Sequence, residues 1–260
     1  MKATPETPER VRVASRVRTR IDAERRRADA RENERFDRSV GIEASGKMFP
    51  SEMTIVAGEH ENGILYVGEP IRATRWWLDE LPDRLDGFTF IDMGSGKGRP
   101  LFAAAEAGKG FERIVGVEYA RELHEAALAN IDRFGGERRA EIVSVCADAR
   151  SYEFPLGPLV VHWANPFTED VMVDVIINLV ASYQRRPRPI FAIYYQHWHE
   201  RNATANVELL SDVPVFSRHR TLQPSGVSGR ARLAMHRVDM FESAEAAGLA
   251  RANRGAPRVR

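Results

Sequence analysis

Between Phe88 and Tyr195 short apolar runs alternate with amphipathic segments, and nothing else in the 260 residues restricts the fold as strongly. Phe88–Met93, Ile114–Val117, Ala140–Cys146, Leu159–Trp163 and Pro189–Tyr195 read as strands. Arg99–Ala107, Ala120–Phe134 and Glu169–Tyr183 read as helices, the first closed by Gly108 and the second by Gly135-Gly136. Strand, helix, strand in repetition is the unit of a parallel sheet with right-handed crossovers and helices on both faces. The pattern then changes. "VPVFSRHRTL" (213–222) and "ARLAMHRVDMF" (231–241) flank the turn "QPSGVSG" and read as an antiparallel hairpin that ends the sheet.

Upstream the chain is different in kind. Residues 1–40 read as a basic extension, helical or disordered, with Val13, Val17 and Ile21 at helical spacing. Residues 41–69 are rich in scattered Gly and Pro, and "EPIRATRWWLDEL" (69–81) puts Ile71, Trp77, Leu78 and Leu81 on one helical face before Pro82. The expected organisation is an extension over 1–40, an α/β domain over 41–248 and a basic tail over 249–260. The net charge of +1 hides an uneven distribution: 12 Lys/Arg against 8 Asp/Glu in residues 1–40, and four Arg without an acid in 251–260. The body between them carries 22 basic and 29 acidic side chains. Basic ends on an acidic body point either to a polyanionic partner such as RNA or DNA, or to solvated tails. No apolar run approaches the roughly 18 residues of a membrane span. The N-terminus has no apolar signal region. The single cysteine, Cys146, fits a reducing, cytoplasmic setting.

The first strand runs into "FIDMGSGKGRP" (90–100), a glycine-rich turn opening a helix. Such a turn brings backbone close to a ligand at the helix N-terminus. A phosphate-cradling Gly-Lys-Ser/Thr loop is excluded because Gly98 follows Lys97. A dinucleotide loop would need a small residue where Arg99 stands. The feature that remains is Asp92, two residues before Gly94, in Asp92-x-Gly94-Ser95-Gly96-x-Gly98. A carboxylate there repels a pyrophosphate and suits a ligand with an ammonium group. S-adenosylmethionine carries one, with a carboxylate for the loop amides and no phosphate. Glu118 ends the second strand, where it can accept two ribose hydroxyls. Asp148 follows the third strand, placed to accept from an adenine amino group, with the Ala149 amide beside the ring. Either acid alone could be a helix cap. Three at the ends of successive parallel strands converge on one crevice.

"FIDMGSGKGR", "GVEYARELHEAALANI", "CADA" and "HWANPF", in that order, resemble the class I adenosylmethionine-dependent methyltransferases over about residues 64–240. The resemblance implies a Rossmann-like sheet of seven strands in the order 3-2-1-4-5-7-6, the last antiparallel, with S-adenosyl-L-methionine as cofactor. It places Tyr119 with the cofactor set of Asp92, Gly94, Ser95, Gly96, Gly98, Glu118, Asp148, Ala149 and Asn165. The "GSGKGR" loop is also similar to that of non-SET histone-lysine methyltransferases and bacterial proteins like them, which sets Tyr66 near the cofactor.

By the same resemblance, Asn165, Pro166 and Phe167 of "HWANPF" form the acceptor side. Asn165 accepts from a target nitrogen and Phe167 packs beside it. Fixed carbonyl dipoles oppose the charge that grows on an attacking nitrogen, so the arrangement is physically sound. Asn165-Pro166 is equally the turn after a strand. One proline stands where nucleic-acid adenine methyltransferases carry two, which favours a protein side chain or small amine as acceptor. In "YYQHWHE" (194–200), His197 or His199 could take a proton, and Tyr194, Tyr195 or Trp198 could hold a cation. No Cys/His cluster has metal-ligand spacing. The alternatives are a nucleic-acid methyltransferase that uses the basic termini, and a nucleoside-binding module without catalysis.

Overall fold

The computed structural model describes residues 8–57, 59–197, 203–223 and 236–254. Helix α1 (Pro8–Val40) leads into a two-residue antiparallel pair, β1 (Lys47–Met48) with β2 (Tyr66–Val67), and then α2 (Ile71–Glu80). The alternation follows as β3 (Thr89–Met93), α3 (Arg99–Glu106), β4 (Arg113–Glu118), α4 (Arg121–Arg133), β5 (Glu141–Cys146), β6 (Leu159–Trp163), α5 (Glu169–Arg185) and β7 (Ile190–His197). Helix α6 (Ala203–Ser211), β8 (Phe216–Thr221), β9 (His236–Ser243) and α7 (Ala244–Arg254) complete the chain.

The seven long strands form one sheet in the order β5-β4-β3-β6-β7-β9-β8. β3 to β7 are parallel, and β9 runs antiparallel between β7 and β8. β3 and β6 sit at the centre, buried on both faces, and their near-continuous apolar runs follow from that position. Alternate residues feed two cores. Phe90, Ile114 and Val160 pack against α2, α3 and the end of α1, whereas Ile91, Val115 and Val161 pack against α5 and α6.

The hairpin is present but displaced: its second strand extends to Ser243, and its turn lies outside the described residues. Helix α6 had no counterpart in the pattern reading; it buries Val207 and Leu210. Helix α1 is attached in an unexpected way. Ile21 is 41% exposed, while Phe36 and Val40 at the other end enter the core. Charged contacts do most of the docking: Arg72 pairs with Asp29 and Glu32, and Arg99 with Asp37. Asn33 Oδ1 accepts the Ile71 amide at 2.8 Å, so α1 also caps α2.

Candidate active site

β3, β4 and β6 end on one level, and the strand order reverses between β3 and β6. A ligand crevice is expected at that point. The glycine turn leaves β3 there. Gly94 and Ser95 both donate to the Val117 carbonyl, at 2.8 and 3.1 Å. Gly94 (φ +82°) and Gly96 (φ +54°) hold left-handed backbone. A Cβ on Gly94 would meet Pro166, and one on Gly96 the Tyr66 ring, each at 2.2 Å. The turn is braced from outside by the buried Asn130 of α4, whose Nδ2 donates to the Lys97 and Glu43 carbonyls.

The cleft is lined by Tyr66, Asp92, Gly94, Ser95, Glu118, Tyr119, Asp148, Ala149, Asn165, Pro166 and Phe167, among others. Two members of the expected set lie aside: Gly96 is covered by the Tyr66 ring, and Gly98 opens α3 with its face on Leu101 and Phe102. Their role is to shape the turn. The walls are anionic. Glu59, Glu69, Asp92, Glu118 and Asp148 border the cleft against two cations, Arg99 and Arg150, and both cations are tied to carboxylates.

Glu118 is buried, with Oε2 accepting the Gly96 amide at 2.8 Å and Oε1 the Ala120 amide at 2.9 Å. Burial pushes its carboxyl up to about 7 against the pull of these amides. Asp148 caps the turn over 149–151 and is clamped by Arg150, Nη2 to Oδ2 at 2.6 Å. Burial raises its carboxyl, but the hydrogen bonds and charge of Arg150 prevail and leave it below its ordinary range. Both Asp148 oxygens thus have a cationic partner, which the chain pattern did not show.

The lead-in over residues 44–57 and 59–68 forms the roof. Its Val56 amide donates to Tyr119 O at 3.0 Å, the Arg121 amide to Thr54 O at 2.9 Å, and the Thr168 amide to Asn62 O at 3.2 Å. The roof is therefore stitched to both banks of the cleft, at the ends of β4 and β6. The Tyr66 hydroxyl donates to Ala44 O at 2.8 Å, which lays its ring on the glycine turn. The Tyr119 hydroxyl is buried with no hydrogen-bond partner among the described residues.

Asn165 is the single non-glycine residue with left-handed backbone among the described residues (φ +47°), a conformation asparagine tolerates and strained sites retain. Its Oδ1 accepts the Tyr194 hydroxyl at 2.7 Å, and Asn206 Nδ2 donates to that hydroxyl at 2.9 Å. A relay from α6 through β7 thus orients the Asn165 amide. This corrects the expectation for Tyr194: it stands behind the cleft wall, fully buried, and offers no face to a cation. Tyr195 points to the other face of the sheet, its hydroxyl 2.9 Å from His236 Nδ1. His197 ends β7, but its side chain lies outside the described residues, as do Trp198 and His199.

Three further residues escaped the sequence reading. Arg99 borders the cleft, but its guanidinium is committed elsewhere, with Nε and Nη2 on the two Asp37 oxygens at 2.8 and 2.7 Å and Nη1 on Glu69 O at 2.9 Å. His162 is fully buried between Asp92 and Glu69. Nothing in the local sequence of His162, Glu69 or Arg99 announces a partner 30 to 93 residues away.

No family model and no curated protein matches the chain. Among solved structures it is similar to the cyclopropane synthase MmaA2 from Mycobacterium tuberculosis, at 12% identity over 67% of this chain and 84% of that one, with a TM-score of 0.47. It is also similar to the S-adenosylmethionine-dependent methyltransferase SibL, at 16% identity over 66% of this chain and 54% of that one, with a TM-score of 0.48. The methyltransferase domain of bacterial CtHen1-CN follows at 19% identity, 59% of this chain and 89% of that one, with a TM-score of 0.39. Likenesses of this size carry no statement about activity. The sheet itself is specific: numbered within it, the strands run 3-2-1-4-5-7-6 with the last antiparallel, and by that order the chain has the fold of the class I adenosylmethionine-dependent methyltransferases.

Proposed function

We propose that the cleft binds S-adenosylmethionine and that the enzyme methylates an amine nitrogen, on a protein side chain or a small molecule. The observation that carries this reading is the convergence of Asp92, Glu118 and Asp148, from the ends of three adjacent strands, on one anionic cleft that faces Asn165-Pro166-Phe167. The residues suit the cofactor. The walls are anionic where a pyrophosphate would be repelled, and the buried, unpartnered Tyr119 hydroxyl calls for a polar ligand atom.

The cofactor supplies an activated methyl group. The chain's own residues have simpler tasks. Asp92 meets the ammonium, and Glu118 accepts from the ribose. Pro166 and Phe167, under the roof, exclude water from the line of transfer. The carbonyl oxygen of Asn165, held by Tyr194, opposes the positive charge that grows on the nitrogen. A protonated amine must first lose its proton, a task for His197 at the end of β7. Calorimetry with adenosylmethionine and its demethylated product tests the reading, and binding of neither refutes it. Labelled methyl transferred into a lysate, fractionated into protein, nucleic acid and small molecules, identifies the acceptor class; incorporation into none would leave only the non-catalytic binding module.

One observation favours a nucleic-acid acceptor as the second reading. In sequence the arginines of α1 are interleaved with acids, but folding separates them. Asp29, Glu32 and Asp37 turn inward to Arg72 and Arg99, while Arg20, Arg27, Arg31, Arg35 and Arg38 are exposed along one face, interrupted by Glu24 and Glu34. The stripe is about 27 Å long at about 1.5 Å per residue. Gln at Arg27, Arg31 and Arg35 should lower the salt dependence of RNA or DNA binding by about three charges. An unchanged slope removes this reading.

A further inference from the structure

Behind the cleft wall, three ionisable side chains form a group of their own. Asp92 of β3 and His162 of β6 are paired in register, so both side chains leave the same face of the sheet, toward α2. His162 Nδ1 lies 2.7 Å from Asp92 Oδ1, and Nε2 lies 3.0 Å from Glu69 Oε2, with the ring fully buried. Trp77 stacks on the ring at 4.7 Å and donates its Nε1 to Glu69 Oε1 at 3.0 Å; Thr74 Oγ1 donates to the same oxygen at 2.8 Å. Asp92 and Glu69 reach the cleft, whereas His162 does not.

Both ring nitrogens face carboxylate oxygens. The Nδ1–Oδ1 contact is a hydrogen bond, whereas Nε2 and Oε2 meet at ion-pair distance without hydrogen-bond alignment; a neutral imidazole would turn a lone pair on one of the two carboxylates, and imidazolium attracts both. Burial pulls the ring toward neutrality, but Glu69 and Asp92 outweigh it and push its pKa up to about 10. Burial likewise drives the Asp92 carboxyl up, opposed by His162 and reinforced by Glu69. Glu118 is the next acid along the cleft, and it couples to Asp92.

We propose that His162 is a positioning residue for donor binding: set between Asp92 and Glu69 as imidazolium, it opposes protonation of Asp92 and aims its carboxylate at the ammonium of the cofactor. The proposal rests on the adenosylmethionine reading above. Two probes separate the effects. S-adenosylhomocysteine carries the ammonium, and 5′-methylthioadenosine has the nucleoside without the amino-acid tail. Near neutral pH, His162→Gln should weaken the first by about tenfold or more and the second by less than about twofold. Equal loss of both, or loss of neither, overturns the proposal. Ring-nitrogen NMR of the unsubstituted protein gives an answer that does not depend on the variant folding. His162 should remain imidazolium well above the ordinary histidine value of about 6.5, and a neutral ring near pH 8 overturns the proposal. Failure of the unsubstituted protein to bind either compound refutes the methyltransferase reading and this one with it. Normal binding with an unaffected His162→Gln refutes this one alone.

Discussion

Replacing Arg99 with Met tests how α1 is held and what it does for the site. The guanidinium is 1% exposed and its Asp37 partner 7%, with two contacts of 2.8 and 2.7 Å between them. Met fills most of the volume but leaves Asp37 buried, with only the Ala44 amide at 3.3 Å and the Ser45 hydroxyl at 3.4 Å as donors. Stranding one member of a buried pair costs about 3–5 kcal/mol. At this chain length that corresponds to a melting point lower by about 10 °C. Asp37→Leu should cost a similar amount, because it strands the arginine. The double variant should be more stable than either single one, since removing a buried pair together is often close to neutral. Urea denaturation of the four proteins measures the cycle. Trypsin adds a local readout, because the arginines of α1 already lie at the surface and become cleavable once the undocked helix unwinds, before global unfolding. The reasoning is refuted if Arg99→Met costs less than about 1 kcal/mol, or if the two single effects simply add. Arg99 also opens α3 directly behind the glycine turn, so cofactor affinity should fall alongside stability.

Gly96→Ala forces a Cβ into the Tyr66 ring at 2.2 Å on left-handed backbone, so it should lower cofactor affinity and stability together. Adding Tyr66→Ala should restore the steric part of the stability but not the backbone part of about 1–2 kcal/mol; full recovery in thermal melts would contradict this account. The Glu118 carboxyl is raised to about 7 in the fold, so its contribution to stability is fully present below the ordinary glutamate value and is lost as pH rises through about 7. Relative to Glu118→Gln, the unsubstituted protein should therefore lose on the order of 3 kcal/mol across that window, and a difference independent of pH would count against it. Tyr194→Phe removes the hydrogen bond to Asn165 Oδ1, at a cost of about 1 kcal/mol, so turnover should fall about fivefold with cofactor affinity unchanged. A change confined to affinity would place Asn165 on the cofactor alone.

The sequence by itself determined the layered α/β class, the parallel direction of the central strands and the positions of Asp92, Glu118 and Asn165 at strand ends. Those features are local: apolar runs bounded by turns specify strands, and an acid at the end of a parallel strand reaches the crevice whatever surrounds it. Tertiary structure decided the rest. It set residues 44–57 and 59–68 over the cleft as a roof, because hydrogen bonds from Val56, Arg121 and Thr168 join segments far apart in the chain. It turned Arg99 from a residue that merely argued against a dinucleotide into the anchor of α1. It converted Tyr194 from a candidate cation holder into a brace for Asn165. It also sorted the charges of α1, since an amphipathic pattern made of arginines and acids has no apolar face to show which side is buried until Arg72 and Arg99 supply partners. His162 was equally silent in sequence, because a strand residue between two apolar neighbours reads as core until the register with Asp92 and the approach of Glu69 place a carboxylate against each ring nitrogen.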